Sequence, residues 1–221
     1  MSNLDLTIAE IMHGDTPVIK IMKGDKQKWP YVQPLPYDAQ VEYIEGGIFE
    51  TDFVPSGTDL HQVKFMMKQK VNYLYAYTVY PMESGKWLAF FGWWIDGNGT
   101  NLLYGSTAKG GGKTMAVNTV YTGEADFRNA TKVLKLNGSN IISQSITSIT
   151  NTYPLAIQLS REGTTGWRFY YYKCYTNDNL VADIIPVRVG SAGALYDKVS
   201  GSLYTMTAGS GTCIIGNDVT T

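Results

Sequence analysis

The chain reads as an all-β protein built from many short strands. Three observations carry that reading. Apolar and polar residues alternate with a period of two, as where Val63, Phe65 and Met67 interleave with Lys64 and Lys68. Turn-forming clusters recur between such runs, among them Asp96 to Asn101 and the pair Asn137-Gly138. The composition also suits sheets, with 23 Gly and 16 Tyr in 221 residues and only 17% charged residues, against roughly 25% in ordinary soluble domains. With no long helical pattern and no internal repeat, these signals predict a sandwich or a barrel.

Taken in order, residues 4 to 12 fit two templates. Leu4, Ile8 and Ile11 would share a helical face, whereas Leu4, Leu6 and Ile8 would share one face of a strand. Two strand-like runs then flank Lys23-Gly24-Asp25, a hairpin signal. The segment from Pro30 to Pro36 holds three prolines in seven residues, which disfavours helix and removes backbone donors. Residues 1–36 are therefore expected to form a small N-terminal arm and Pro-rich linker, and residues 37–221 the main domain. An arm of that length cannot bury a self-sufficient core, so it must pack on its own domain or on a partner. Ile19, Ile21 and Trp29 are its expected anchoring side chains.

In the main domain Tyr73, Tyr75, Tyr77 and Val79 alternate with smaller or polar residues. Leu88 to Ile95 is a continuous apolar run that predicts a central strand covered on both faces. Leu134, Lys135 and Leu136 lead into Asn137-Gly138, whose residues tolerate positive φ in a two-residue hairpin. Leu155, Ile157 and Leu159 alternate again. Further on, Trp167, Phe169 and Tyr171 are expected on one face, with Arg168, Tyr170 and Tyr172 on the other. Near the end, Pro186 suits a sheet edge or corner, Gly190 and Gly193 suit turns that a Cβ would obstruct, and Asp197 suits a turn ending at Gly201 in which it accepts backbone N–H bonds. All five are expected to close the fold.

Several chemistries are disfavoured. The net charge is −1, which leaves no electrostatic footprint for nucleic acid. No signal-peptide pattern opens the chain, and the longest apolar run is far shorter than the roughly 20 residues of a membrane helix. Cys174 and Cys213 lack a metal-type spacing and read as small hydrophobes. The sequons at Asn98, Asn129 and Asn137 read as turn chemistry. In Ala108 to Thr114 (AKGGGKT) the phosphate-loop pattern fails because Thr107 stands where its first glycine belongs. His13 and His61 fall in different modules, so neither a triad nor a zinc site is expected. Glu42, Glu45, Glu50 and Asp52 read as solvated strand carboxylates, and Asp96 to Asn101 as a turn lacking a full calcium loop. No cofactor and no catalytic residue are expected. Trp87, Trp94 and Tyr104 are the candidates for contact with a glycan or a protein, core packing being their alternative, and Trp93 and Trp94 should point to opposite faces.

Two segments resemble a known family. Val41 to Pro55, VEYIEGGIFETDFVP, is similar to the opening strand pair of concanavalin-like, LamG-type jelly-roll domains of bacteriophage virion proteins and some bacterial surface proteins. Glu42-Tyr43-Ile44-Glu45 matches, and Glu50-Thr51-Asp52-Phe53 departs from the usual strand. Phe169 to Thr205, with ADIIPVRVGSAGALYDKVSGSLYT, resembles the closing section of those domains. The resemblance spans residues 41–216 and is weak between 95 and 150. It implies two packed antiparallel sheets with the opening and closing strands as neighbours. The arm segment VIKIMKGDKQKWP is similar to short anchoring β-modules at the start of phage structural proteins. Together they imply a virion structural protein, a head-fibre or decoration subunit, made in the host cytoplasm and held to other virion proteins by its arm within a homo-oligomer. The alternative is a lectin-like module for host-surface or mucosal glycans, or a tail-associated protein.

Overall fold

The computed structural model describes residues 8–13, 16–23, 26–32, 35–69, 74–79, 87–93, 101–105, 107–110, 113–161, 164–207 and 211–219. The chain divides into two compact units, Met1–Asp38 and Ala39–Thr221. The first holds β1 (Ile8–His13), β2 (Thr16–Lys23) and β3 (Lys26–Val32), an antiparallel sheet in that order. The ambiguous opening segment thus contributes a strand. The hairpin signal at Lys23-Gly24-Asp25 corresponds to Lys23 facing Lys26 across β2 and β3. Pro30 does not belong to a linker: it lies in β3, opposite Lys20. Among the described residues β3 pairs on one side only, and an edge strand accommodates a residue without a donor.

The second unit follows as β4 (Ala39–Gln40), β5 (Ile44–Glu45), β6 (Ile48–Glu50), β7 (Leu60–Met67), β8 (Leu74–Val79), β9 (Trp87–Trp93), β10 (Asn101–Gly105) and β11 (Thr107–Gly110). It continues with β12 (Val120–Asp126), β13 (Thr131–Leu136), β14 (Ser139–Ser145), β15 (Leu155–Gln158), β16 (Ser160–Arg161) and β17 (Thr164–Thr165). The last strands are β18 (Trp167–Thr176), β19 (Asn179–Val189), β20 (Ala192–Asp197), β21 (Leu203–Thr205) and β22 (Ile214–Ile215). One large sheet runs β11-β10-β9-β8-β15-β6, which gives the apolar run of β9 a neighbour on each side. The other runs β14-β13-β12-β7-β18-β19-β20-β21, with β5 against β18, β22 against β5 and β4 against β19. Every strand pairing among the described residues is antiparallel. No helix among them is long and apolar enough to cross a membrane.

Both large sheets feed one core. Phe49 of β6, Leu102 and Tyr104 of β10, and Leu155 and Ile157 of β15 join Val63, Phe65 and Met67 of β7 and Trp167 and Phe169 of β18 in a single buried cluster. Each large side chain removed from water there contributes about 2–3 kcal/mol. Opening and closing segments are neighbours: Ile44 faces Ile215, Val41 bridges Asp218, and the Val41 amide donates to Pro186 O at 3.1 Å.

The local turn chemistry follows the residues. Asn137 and Gly138 have φ of +49° and +77° between β13 and β14, the mirror-image turn that matches strand twist. Pro186 lies in an interior strand, not at a sheet edge. It stands where β19 ends its ladder with β18, at Ile184 opposite Tyr172, and begins one with β4, at Val187 opposite Gln40. A residue without an N–H loses no ladder bond at such a junction.

Candidate functional site

β18 is the strand that builds the site. Its buried positions are Trp167, Phe169, Tyr172 and Cys174, which breaks strict alternation after Phe169. The register supplies the reason: Phe169 faces Phe65 and Tyr171 faces Lys64, so Tyr170 is an inserted residue, a β-bulge. The expected grouping of Tyr171 with Trp167 and Phe169 is therefore corrected. Tyr170 and Tyr171 are both half-buried on the outer side, and Tyr172 turns inward.

A polar row crosses the same face. Lys135, Glu124, Gln62, Lys173 and Asp183 stand opposite one another in successive strands β13, β12, β7, β18 and β19. Lys135 Nζ lies 2.5 Å from Glu124 Oε1, and Gln62 Nε2 donates to Glu124 Oε2 at 3.2 Å. Lys173 Nζ lies 3.6 Å from Asp183 Oδ2. A groove of about 360 Å³ opens over this row, lined by Tyr170, Tyr171, Tyr175, Lys173, Asp183 and Gln62, with Gln40, Ile185 and Lys198 completing it. Asp183 is only 9% exposed, and its buried Oδ1 has no hydrogen-bond partner among the described residues. Next to the groove, the Arg168 guanidinium stacks 3.7 Å above the Tyr43 ring and pairs with Glu45 at 2.8 Å. Lys64 Nζ sits 5.3 Å from the Tyr170 ring, which meets Tyr43 edge-on at 6.0 Å. Glu45 is thus buried and paired, a correction to its reading as a solvated carboxylate. Asp52 is exposed and accepts from the Tyr204 hydroxyl at 2.5 Å. Burial, followed by that bond, pushes the Tyr204 phenol up to about 12.

A second cluster lies inside the core. Asp59, His61 and Cys174 bring potential ligand atoms within 4.8 Å of one another, a combination the sequence spacing did not reveal. These are transition-metal donor types, and Asp59 and Cys174 hydrogen-bond to each other while His61 Nδ1 meets Tyr172. Asp59 Oδ2 accepts from the Ser56 amide at 2.6 Å and from the Cys174 thiol at 3.5 Å, and Oδ1 accepts from Thr176 Oγ1 at 2.8 Å. His61 Nδ1 and the Tyr172 hydroxyl are 2.7 Å apart. Burial raises the Cys174 pKa, keeping the thiol protonated, and lowers His61 to about 3, keeping the imidazole neutral. The cluster acts as a buried polar clasp between β7 and β18.

Tyr104 is a correction. It is fully buried, so it cannot face a glycan or a partner from this position. Its hydroxyl donates to Gly57 O and accepts from the Ile149 amide at 3.2 Å, which ties two loops to β10. Buried Lys132 sits 4.9 Å from the centre of its ring and donates to Phe127 O at 2.8 Å and Ser148 Oγ at 2.9 Å. Burial lowers the Lys132 pKa.

Among the other expected sites, Trp87 opens β9 and Ile19, Ile21 and Trp29 lie in β2 and β3, with Ile21 opposite Trp29. Trp94 and the turn at residues 96–100 fall outside the described residues. In the closing section Asp197 Oδ1 accepts from the Asp183 amide at 2.9 Å and the Val199 amide at 3.0 Å, while Oδ2 accepts from Ser200 Oγ at 2.8 Å. Gly190 and Gly201 have φ of +60° and +76°. Gly193 is needed for a different reason: a Cβ there would come within 2.7 Å of Cys213 Sγ. The groove residues escaped sequence reasoning because a bulge leaves no mark in composition; the run Tyr170-Tyr171-Tyr172 was the available signal. In comparisons with known proteins, no family model matches the chain and no curated protein matches it.

Proposed function

We propose that the chain is a bacteriophage virion structural protein, a capsid-associated head-fibre or decoration subunit. In this reading residues 1–36 attach it to other virion proteins within a homo-oligomer, and the larger unit is a concanavalin-like jelly roll displayed by that attachment. The observation that carries the reading is the division into a 38-residue β1–β3 unit and a separate large β unit. A sheet that small lacks the area to form a two-sided core of its own. Its register puts Ile8, Ile21 and Trp29 in one cross-strand row, which offers apolar positions for a partner. The jelly-roll assignment is supported by the two sheets sharing one core and by β5 pairing with both β18 and β22.

Co-sedimentation tests the attachment. Tagged full-length chain is expected in the particle band of a density gradient, and chain lacking residues 1–38 at the top, with its β-sheet circular dichroism retained. Equal banding of both forms overturns the reading. A second reading, a carbohydrate-binding module, is favoured by the groove on the outer face of the β7–β18–β19 sheet, which three tyrosines, two amides, two lysines and Asp183 line.

A further inference from the structure

We propose that the tyrosine groove over β18 is a site for an acidic glycan, a sugar bearing a carboxylate or a sulfate, whose anionic group Lys173 and Lys198 hold. The inference rests on the carbohydrate-binding reading and adds the charge class and the residues that read it. Charge on this face runs against the chain's average. The whole chain carries 18 basic and 19 acidic residues, yet two lysines and a single carboxylate, Asp183, line the groove. Asp183 is 9% exposed and its Oδ2 lies 3.6 Å from Lys173 Nζ, so the carboxylate positions that ammonium at the groove. An ammonium has three donors, and this pairing leaves donors for a ligand. Lys198 is exposed, and its backbone amide donates to Asp183 O at 2.9 Å, which holds the residue beside the same carboxylate. Lys64 adds a third cation: it faces Tyr171 across the ladder, and its Nζ sits 5.3 Å from the Tyr170 ring. An excess of positive charge in a concave surface concentrates anions there, and an ammonium bonds an anionic oxygen more strongly than a neutral one.

Rings and amides supply what a sugar needs besides its charge. Tyr170, Tyr171 and Tyr175 are half-buried around the groove, and a phenol offers an apolar face with a polar rim. The bulge at Tyr170 places two consecutive tyrosines on one side, which a regular strand cannot do. Gln62 and Gln40 line the same groove with amides that both donate and accept, as sugar hydroxyls do. The groove, about 360 Å³, lies in the lower part of the range for small-molecule sites, about 300–1,000 Å³. A bare inorganic anion would use the lysines and leave the rings idle. A neutral sugar would use the rings and leave the lysines idle. An acidic sugar uses both.

The test uses the full chain on a printed array of neutral, sialylated, uronate-containing and sulfated glycans, followed by calorimetry at low and high salt with the strongest acidic oligosaccharide. Acidic glycans are expected to bind, and their neutral counterparts to bind at least about tenfold more weakly. Lys173→Gln and Lys198→Gln should each weaken binding about fivefold with unchanged thermal unfolding, and high salt should weaken it in the wild type. Lys198 is exposed, so its variant decides the matter if Lys173→Gln misfolds. Acidic-glycan binding that neither lysine variant changes overturns the groove assignment and leaves the carbohydrate reading standing. Equal binding of neutral glycans overturns the charge assignment alone. Equal competition by inorganic sulfate or by a DNA oligonucleotide reveals charge attraction only and overturns the glycan assignment. No binding to any glycan overturns the carbohydrate reading and the inference with it.

Discussion

His61 shows how one side chain couples burial to pH. Its imidazole is enclosed between Phe127 and Tyr172, at ring-centre distances of 5.4 and 6.0 Å, and burial lowers its pKa from 6.5 to about 3. Below pH 6.5 the unfolded chain therefore binds a proton that the folded chain refuses, and stability falls as the pH drops toward 3. The loss by pH 4.5 is about 2–3 kcal/mol. Asp126, held low chiefly by its hydrogen bond from Arg128, adds a further loss of the same sign as the pH falls through the ordinary carboxylate range near 3.8. Urea unfolding between pH 7.5 and 4.5 should show a steep decline for wild type and a shallower one for His61→Gln; parallel slopes would contradict the assignment. At the closing turn, Asp197→Ala strands two backbone donors and should cost about 3–4 kcal/mol, read as a lower urea midpoint at constant m. Gly193→Ala should cost about 1–3 kcal/mol through overpacking, and adding Cys213→Ala should restore part of it by removing the atom at 2.7 Å. Asp197 and its turn were legible because Asp, Lys, Ser and Gly fall at turn spacing. His61 was legible in principle, since it continues the inward series of Val63, Phe65 and Met67 by one step. Its meeting with Cys174 was not, because that depends on which strands become neighbours.

At the scale of elements, alternation located most strands, and local irregularities decided the site. The bulge at Tyr170 shifts every later residue of β18 to the opposite face from the one strict alternation assigns. A single-residue deletion tests this directly. Removing Tyr170 restores a regular ladder with Phe169, Tyr172 and Cys174 still facing inward. It should cost only about 1–2 kcal/mol for the lost ring contacts, a melting shift of roughly 2–8 °C for a chain of this size. Removing Phe169 instead deletes a fully buried ring and should abolish cooperative unfolding or cost about 3–5 kcal/mol. Equal damage from both deletions would refute the bulge. Pro30 and Pro186 carry the same lesson. Composition marked them as interruptions, yet both sit in strands, one at an edge and one where β19 changes partners. Sequence alone does not say whether a missing donor falls on a vacant side of a strand.

At the scale of the molecule, the low charge fraction and recurrent turns foretold an all-β chain, and both large sheets meet in one core. The groove could not be foretold, since its residues come from β4, β7, β18, β19 and the turn after β20 and meet only through sheet order. The proposal divides labour between the two compact units: attachment through β1–β3, and recognition through the tyrosine face of the larger unit. A single-particle reconstruction of intact virions bearing the chain tests that division most directly. The account predicts β1–β3 enclosed against neighbouring virion proteins and the Tyr170–Tyr171–Asp183 face open to solvent. A reconstruction with β1–β3 free in solvent and the tyrosine face packed against the particle would contradict it.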